Sequence, residues 1–334
     1  MTNSQKQTAE ADPFGRKIDY LRISVTDRCN ERCLYCMPEG YHGWESKPDH
    51  LTAAEIVRVV RVAADLGFRK FRLTGGEPLV RADVPDIIHA LTAIPGVESV
   101  GLSTNGMKLA ALAKILRAAG LGSVNVSLDA LDPAIYHRIT GGDVTRVLAG
   151  LRAAAEAGFE RVKLNCVLMR GVNETEIWPL VRFAAEHNLI LRLIELMPLT
   201  TTEVLTEKNF LPCGEAMRLL SRHDELMPQP DFRPGNGPAR YFKLKQTGAM
   251  IGFVGALTNE HFCDSCNKMR LTADGKVRPC LGNHIEVDLR MALRKGAGDG
   301  ALRELLETAL RMKPFEHQFR HQYQPCRPMT AIGG

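Results

Sequence analysis

The chain has 334 residues, 45% apolar and 24% charged, with a net charge of +5 and nine cysteines, enough to bury a sizeable core in one large or two ordinary domains. Residues 1–15 are polar with no apolar core, and the longest glycine-and-apolar run, 248–257, is too short to span a bilayer, so export and membrane classes are excluded and a cytoplasmic protein is expected. The mild positive charge permits an anionic substrate without arguing for nucleic acid, and the odd cysteine count fits reduced thiols and metal ligation better than a disulfide framework.

Residues 21–25 alternate apolar and polar and predict a strand that delivers the segment Cys29-Asn-Glu-Arg-Cys33-Leu-Tyr-Cys36 at its C-terminal end. Three thiols this close must share one inorganic centre. Such spacings wrap a loop around an iron–sulfur cube, which normally takes four cysteines, so one iron is left open to a substrate or cofactor. A zinc site would prefer four ligands, usually from paired clusters, and structural disulfides do not suit a chain with no export signal.

Next comes Thr52-Ala-Ala-Glu55, a capping box that starts a helix with Ile56, Val59, Val60 and Ala63 on one face and Gly67 at its end. A strand at 70–74 runs into Gly75-Gly76-Glu77-Pro78. The alternation continues with a strand near 99–103, a helix at 109–119 and a strand at 123–128. Asp132-Pro133 caps a further helix. A helix at 144–157, a strand at 162–168, a helix at 174–187 and a strand at 190–196 follow.

Six strand–helix units joined by right-handed crossovers build a parallel sheet, open or curled into a barrel. The cysteine loop, Gly75-Gly76-Glu77, Ser103-Thr104-Asn105, Ser127 and Glu195-Leu196-Met197 all fall at or just past strand C-termini, the edge where barrel active sites gather. The expected fold is therefore α/β: a flexible arm at 1–15, a partial (βα)6 TIM-like barrel at 16–228, and a small C-terminal α+β extension at 229–334.

In that extension, 228–238 reads as a proline- and glycine-rich loop, and 241–244 and 250–257 as short strands. Asp274-Gly275 between 268–272 and 276–278 is a hairpin signal. The hairpin would return Cys280 to Cys263 and Cys266, forming a second three-cysteine site. Zinc with His261 or His284 as fourth ligand competes with a second cluster there on spacing alone.

Cys29-x3-Cys33-x2-Cys36, with Tyr35 before the last cysteine, resembles the cluster loop of the radical S-adenosylmethionine family. With the second triad included, the likeness is to that family's GTP-cyclising branch and runs from Leu21-Arg22 to Ile332-Gly333-Gly334. It implies two 4Fe-4S clusters and S-adenosyl-L-methionine as cofactors, with Cys29, Cys33 and Cys36 on the first cluster and Cys263, Cys266 and Cys280 on the second. Tyr35, Gly76, Ser127 and Met197 match its S-adenosylmethionine-contacting positions. Arg22, Arg72, Ser103, Lys163, Lys268 and Arg270 match its GTP-binding positions, with Lys70 and Arg192 as weaker neighbours.

The resemblance assigns no acid–base dyad, leaving Glu77 and Glu195 as positioning or structural groups, and it places a Gly-Gly tail in the active site. Taken singly, each of these basic residues is more often solvated or salt-bridged; their convergence on one barrel mouth raises them together. Lys268 stands where the branch often has arginine, and lysine lacks the bidentate fork. The implied partners are GTP, a low-potential electron donor and the next enzyme of the pathway, cyclic pyranopterin monophosphate synthase, with a monomer or homodimer and neither membrane nor nucleic acid. Two rivals stay open: a radical enzyme acting on a peptide or RNA, and a non-catalytic metal-binding nucleic-acid module.

Overall fold

In the computed structural model the described residues are 11–37, 49–200, 206–235, 237–321 and 323–333. Most of the expected N-terminal arm, and Gly334 of the tail, lie outside them. Six strands alternate with helices: β1 (Tyr20–Ser24), α1 (Ala53–Asp65), β2 (Lys70–Thr74), α2 (Val84–Thr92), β3 (Ser99–Thr104), α3 (Leu109–Ala118), β4 (Ser123–Ser127), α4 (Pro133–Thr140), α5 (Val144–Glu156), β5 (Arg161–Leu168), α6 (Ile177–Glu186) and β6 (Ile190–Glu195). The remaining elements are α7 (Cys213–Leu220), β7 (Leu226–Pro228), β8 (Arg240–Leu244), β9 (Met250–Val254), β10 (Lys268–Leu271), β11 (Lys276–Arg278), β12 (Val287–Asp288), α8 (Arg290–Arg294), α9 (Asp299–Arg311) and α10 (Met329–Ile332).

Period-two alternation decides what the barrel wall presents on each side. Leu21, Ile23, Phe71 and Leu73 are buried under the outer helices, while Arg22 and Arg72 between them turn inward. Helix α1 supplies part of that cover with Ile56, Val59, Val60 and Ala63, and its capping box is formed: the Thr52 hydroxyl accepts from the Glu55 amide at 3.2 Å, and the Glu55 carboxylate accepts from the Thr52 amide at 2.7 Å.

Strands β1 to β6 pair in sequence, all parallel. Two strands from the C-terminal part extend this wall in the same direction, β10 beside β1 and β9 beside β6. Eight parallel strands thus form the barrel wall, and the sheet of 12 ends in antiparallel additions, β11–β12 on one side and β8–β7 on the other. The composition shift at Pro228 coincides with the end of β7, and strands from both sides of it share this one sheet. Helix α9, absent from the sequence reading, returns to pack on α1, where Arg58 pairs with Asp299 at 2.7 Å. No helix among the described residues is long and apolar enough to cross a membrane.

Candidate active site

The cysteine loop leaves β1 at the C-terminal end of the barrel and is tied down from several sides. The Arg32 and Leu34 amides donate to the carbonyls of Thr140 and Ile139 at the end of α4, at 2.7 and 2.9 Å. Tyr136 donates its hydroxyl to Glu31 at 2.8 Å, and Tyr35 donates its own to Asp129 at 2.6 Å. Gly76 has no room for a side chain, because a Cβ there would stand 2.2 Å from the Arg28 carbonyl oxygen. The double glycine thus lets the β2 loop lie directly on the stem of the cysteine loop. Glu77 then joins β2 to β3, accepting from Thr104 Oγ1 and the Asn105 amide, both at 2.7 Å, and from the Leu79 amide at 2.9 Å. Burial pushes its carboxyl up to about 7 against those hydrogen bonds. Glu195 has an equally structural task, since its buried carboxylate accepts from the amides of Cys213, Leu257 and Thr258 at 2.8–3.1 Å.

The second triad lies at the opposite end of the same wall. Cys263 and Cys266 precede β10, whose first residue, Lys268, is in register with Tyr20 at the start of β1. The hairpin at Gly275 folds β11 back on β10, with Arg278 opposite Arg270, and so returns Cys280 to the other two. A five-residue strand rises about 17 Å, which sets the order of the separation between the triads. His261 instead faces Asp264 at 2.9 Å, and His284 faces the exposed Cys326 at 3.0 Å.

In chemistry each donor set, three thiols, suits an iron–sulfur cluster with one iron left open. All six thiols line one cavity of about 400 Å³, whereas Cys166, Cys213 and Cys326 lie away from it. Burial pushes the Cys29 thiol up to about 12, and hydrogen bonding with Cys36, together with burial, raises Cys33. Buried thiols of this kind stay neutral unless a metal centre replaces their protons. Cys266 differs: burial would raise it, but Lys313 and Lys268 beside it bring it below its ordinary value.

Between the two ends the inner wall is basic. Arg270, Arg22 and Arg72 stand side by side in register on β10, β1 and β2. The next residue of that row, on β3, is Gly101, over which the Arg72 guanidinium reaches Ser123 Oγ at 3.1 Å and the Leu102 carbonyl at 2.6 Å. Further round, burial and the guanidiniums of Arg192, Arg72 and Arg161 hold the Lys163 ammonium down to about 7. Like charges placed opposite one another across strands repel, so this row is suited to an anion. Ser103 Oγ, Asn125 Oδ1, Asn165 Oδ1 and Arg192 Nε are buried on the same inner face with no hydrogen-bond partner among the described residues.

The structure brings to this one cavity the six cysteines, then Tyr35, Gly76, Ser127 and Met197, and finally Arg22, Arg72, Ser103, Lys163, Lys268 and Arg270. Arg192 joins them. Lys70 does not, and bonds Asp19 at 2.8 Å. Asn125, Asn165 and Arg161 also line the cavity and were missed, although period-two positions on β4 and β5, counted from Ser127 and Lys163, would have found them. The tail enters as well. Arg270 donates to the Gly333 carbonyl, and a Cβ on Gly333, whose φ is +79°, would meet Thr74 Cγ2 at 2.8 Å.

A parallel barrel wall with a three-cysteine loop at the C-terminal ends of its strands and a second triad across a basic cavity is the arrangement of a radical S-adenosylmethionine enzyme of the two-cluster kind. The Radical SAM superfamily description matches residues 23–184, and that of Molybdenum Cofactor Synthesis C matches residues 189–319. The GTP 3',8-cyclases of Moorella thermoacetica and Pelotomaculum thermopropionicum are 45% and 43% identical to this chain, over 97% of it and 99% of each of them. The chain belongs to the GTP 3',8-cyclase family. Among solved structures, Streptococcus suis SuiB bound to S-adenosylmethionine is similar with a TM-score of 0.60 at 18% identity, covering 86% of this chain and 68% of that one. The protein anSMEcpe with bound AdoMet gives 0.62 at 16%, covering 90% and 82%. These two likenesses concern the fold.

Proposed function

We propose that this chain converts GTP to (8S)-3',8-cyclo-7,8-dihydroguanosine 5'-triphosphate, the first step of molybdenum cofactor biosynthesis. The observation that carries the reading is the in-register row Arg270–Arg22–Arg72 with Lys163 beside it, a buried concentration of positive charge for which a triphosphate is the fitting counter-ion. When bound, the clusters and S-adenosylmethionine supply the electron and the 5'-deoxyadenosyl radical that takes the hydrogen from C3' of GTP.

Every other task falls to the chain's own residues. Cys29, Cys33 and Cys36 would hold the first cluster, and Cys263, Cys266 and Cys280 the second, which would bind the guanine. Tyr35, Gly76, Ser127 and Met197 would hold S-adenosylmethionine, with Tyr35 set by its bond to Asp129. Arg22, Arg72, Lys163, Lys268 and Arg270 would grip the triphosphate and Ser103 would offer its hydroxyl. Fixing the nucleotide between two clusters at opposite ends of one wall orients C3' and excludes competing reactions. Gly333, held on Arg270 beside Ser24 and Thr74, would bring the tail to the edge of the site at β1 and β2. A cytoplasmic setting, a low-potential electron donor, delivery of product to cyclic pyranopterin monophosphate synthase, and a monomer or homodimer complete the reading.

The test is anaerobic turnover of the reconstituted protein with dithionite, S-adenosylmethionine and GTP deuterated at C3', followed by mass spectrometry of the 5'-deoxyadenosine. Deuterium in that product is expected. Unlabelled 5'-deoxyadenosine, formed in the presence of that substrate, would discard C3' of GTP as the site of abstraction.

A further inference from the structure

Lys313 lies just beyond α9 and is 3% exposed. Its ammonium donates to the Lys268 carbonyl at 2.7 Å, to the Pro279 carbonyl at 2.7 Å and to Cys266 Sγ at 3.5 Å. An ammonium has three N–H donors, so these contacts use all of them. Two of the three acceptors lie on the Cys266–Lys268 arm entering β10, and the third lies beside Cys280 on the arm leaving β11. None is a carboxylate. A buried cation whose partners are two carbonyls and a sulfur needs negative charge close by, and a thiolate-ligated cluster would bring it to that sulfur.

The position of Lys313 is itself secured. Arg16 donates to the carbonyls of Pro314 and Phe315, both at 2.6 Å, and to that of Cys263 at 3.1 Å. The segment carrying Lys313 is therefore tied to the remaining cysteine of the triad. At the first triad Glu31 and Glu77 line the cavity, the Arg32 guanidinium donates to the Cys29 carbonyl at 3.2 Å, and the side-chain donor directed at Cys29 Sγ is the neutral amide of Asn105, at 3.9 Å.

We propose that Lys313 is a positioning residue for the second cluster: it fixes the Cys266 and Cys280 arms in register and, as a cation on a ligand sulfur, raises that cluster's reduction potential. The proposal rests on the reading that the second triad carries a cluster. Reduction adds one negative charge, and a fixed neighbouring cation stabilises the reduced form more than the oxidised one.

The test compares the full-length, fully reconstituted parent with Lys313→Gln and Lys313→Arg, by iron content and by potentiometric titration followed by electron paramagnetic resonance. The second-cluster signal is the one that disappears when Cys263, Cys266 and Cys280 are all replaced by alanine. In Lys313→Gln that signal should reduce with its reduced-to-oxidised ratio at least about tenfold lower at a given potential, a shift of about 59 mV for one electron, with the first cluster unmoved. Lys313→Arg should recover more than half of the shift. A parental potential in Lys313→Gln would overturn the proposal. If Lys313→Gln assembles no second cluster, Lys313→Arg decides, since a cluster near the parental potential supports the proposal and a missing one overturns it. Should the parent lose no iron when the triad is removed, the reading of that triad falls, and this proposal with it.

Discussion

Lys163 turns the electrostatics of the cavity into a measurable proton. The residue is 6% exposed and its ammonium donates to the Pro234 carbonyl at 2.7 Å, and burial together with Arg192, Arg72 and Arg161 holds it down to about 7. A triphosphate beside it reverses the sign of the local field and favours the charged ammonium. Binding then takes up a proton, and affinity falls as pH rises through the value of the free protein. With that value at about 7, about nine in ten free molecules carry neutral Lys163 at pH 8, so GTP binding should take up about 0.9 proton there. Apparent affinity should weaken about eightfold between pH 7.5 and 8.5 by the same linkage. The triphosphate adds little in this range, because its last ionisation, near 6, is already complete. Isothermal titration calorimetry of the cluster-loaded protein without reductant, in two buffers of different ionisation enthalpy, reads the proton directly. Lys163→Met should abolish the uptake. Binding at pH 8 with no proton uptake, or equal uptake in Lys163→Met, would refute the reasoning.

Three further outcomes follow from the packing. Gly76→Ala puts a Cβ 2.2 Å from the Arg28 carbonyl oxygen and should displace the cysteine loop, so iron analysis should show loss of the first cluster with the second retained. Gly333→Ala meets Thr74 and Ser24 at 2.8 and 3.2 Å in a backbone conformation that favours glycine. It should eject the tail and lower turnover at least about tenfold, on the scale of about 1.4 kcal/mol, with both clusters intact; undiminished turnover would remove the tail from the mechanism. Lys268→Arg should tighten GTP binding by about 1 kcal/mol, because a guanidinium fork replaces a point charge, and equal affinities in a titration of the two proteins would disprove it.

Much of the site was legible because its signals are local. The spacing of Cys29, Cys33 and Cys36 is set within eight residues, and the ligand number that leaves an iron open depends on nothing distant. Thr52 and Glu55 form the capping box that their spacing announces, and Asp274-Gly275 makes the hairpin that returns Cys280 to its partners. The part beyond Met197 was harder to read. Helix α9 was missed, and β9 and β10 were read as short strands of an extension, although each also extends the parallel wall, beside β6 and β1. Parallel pairing of β10 with β1 joins Lys268 to Tyr20 across most of the chain, and such a register leaves no mark in a local pattern.

The sequence alone determined the chemistry: which residues can ligate iron, how many of them, and in which order strand and helix alternate, since these depend on side-chain type and on neighbours within a few turns. Only the tertiary structure decided the geometry that makes the chemistry selective. It set the two triads at opposite ends of one wall, put Arg270, Arg22 and Arg72 abreast, and brought Lys313 from beyond α9 onto Cys266. The physical reason is that strand register and the burial of charge are properties of the assembled sheet, fixed by packing between segments far apart in the chain.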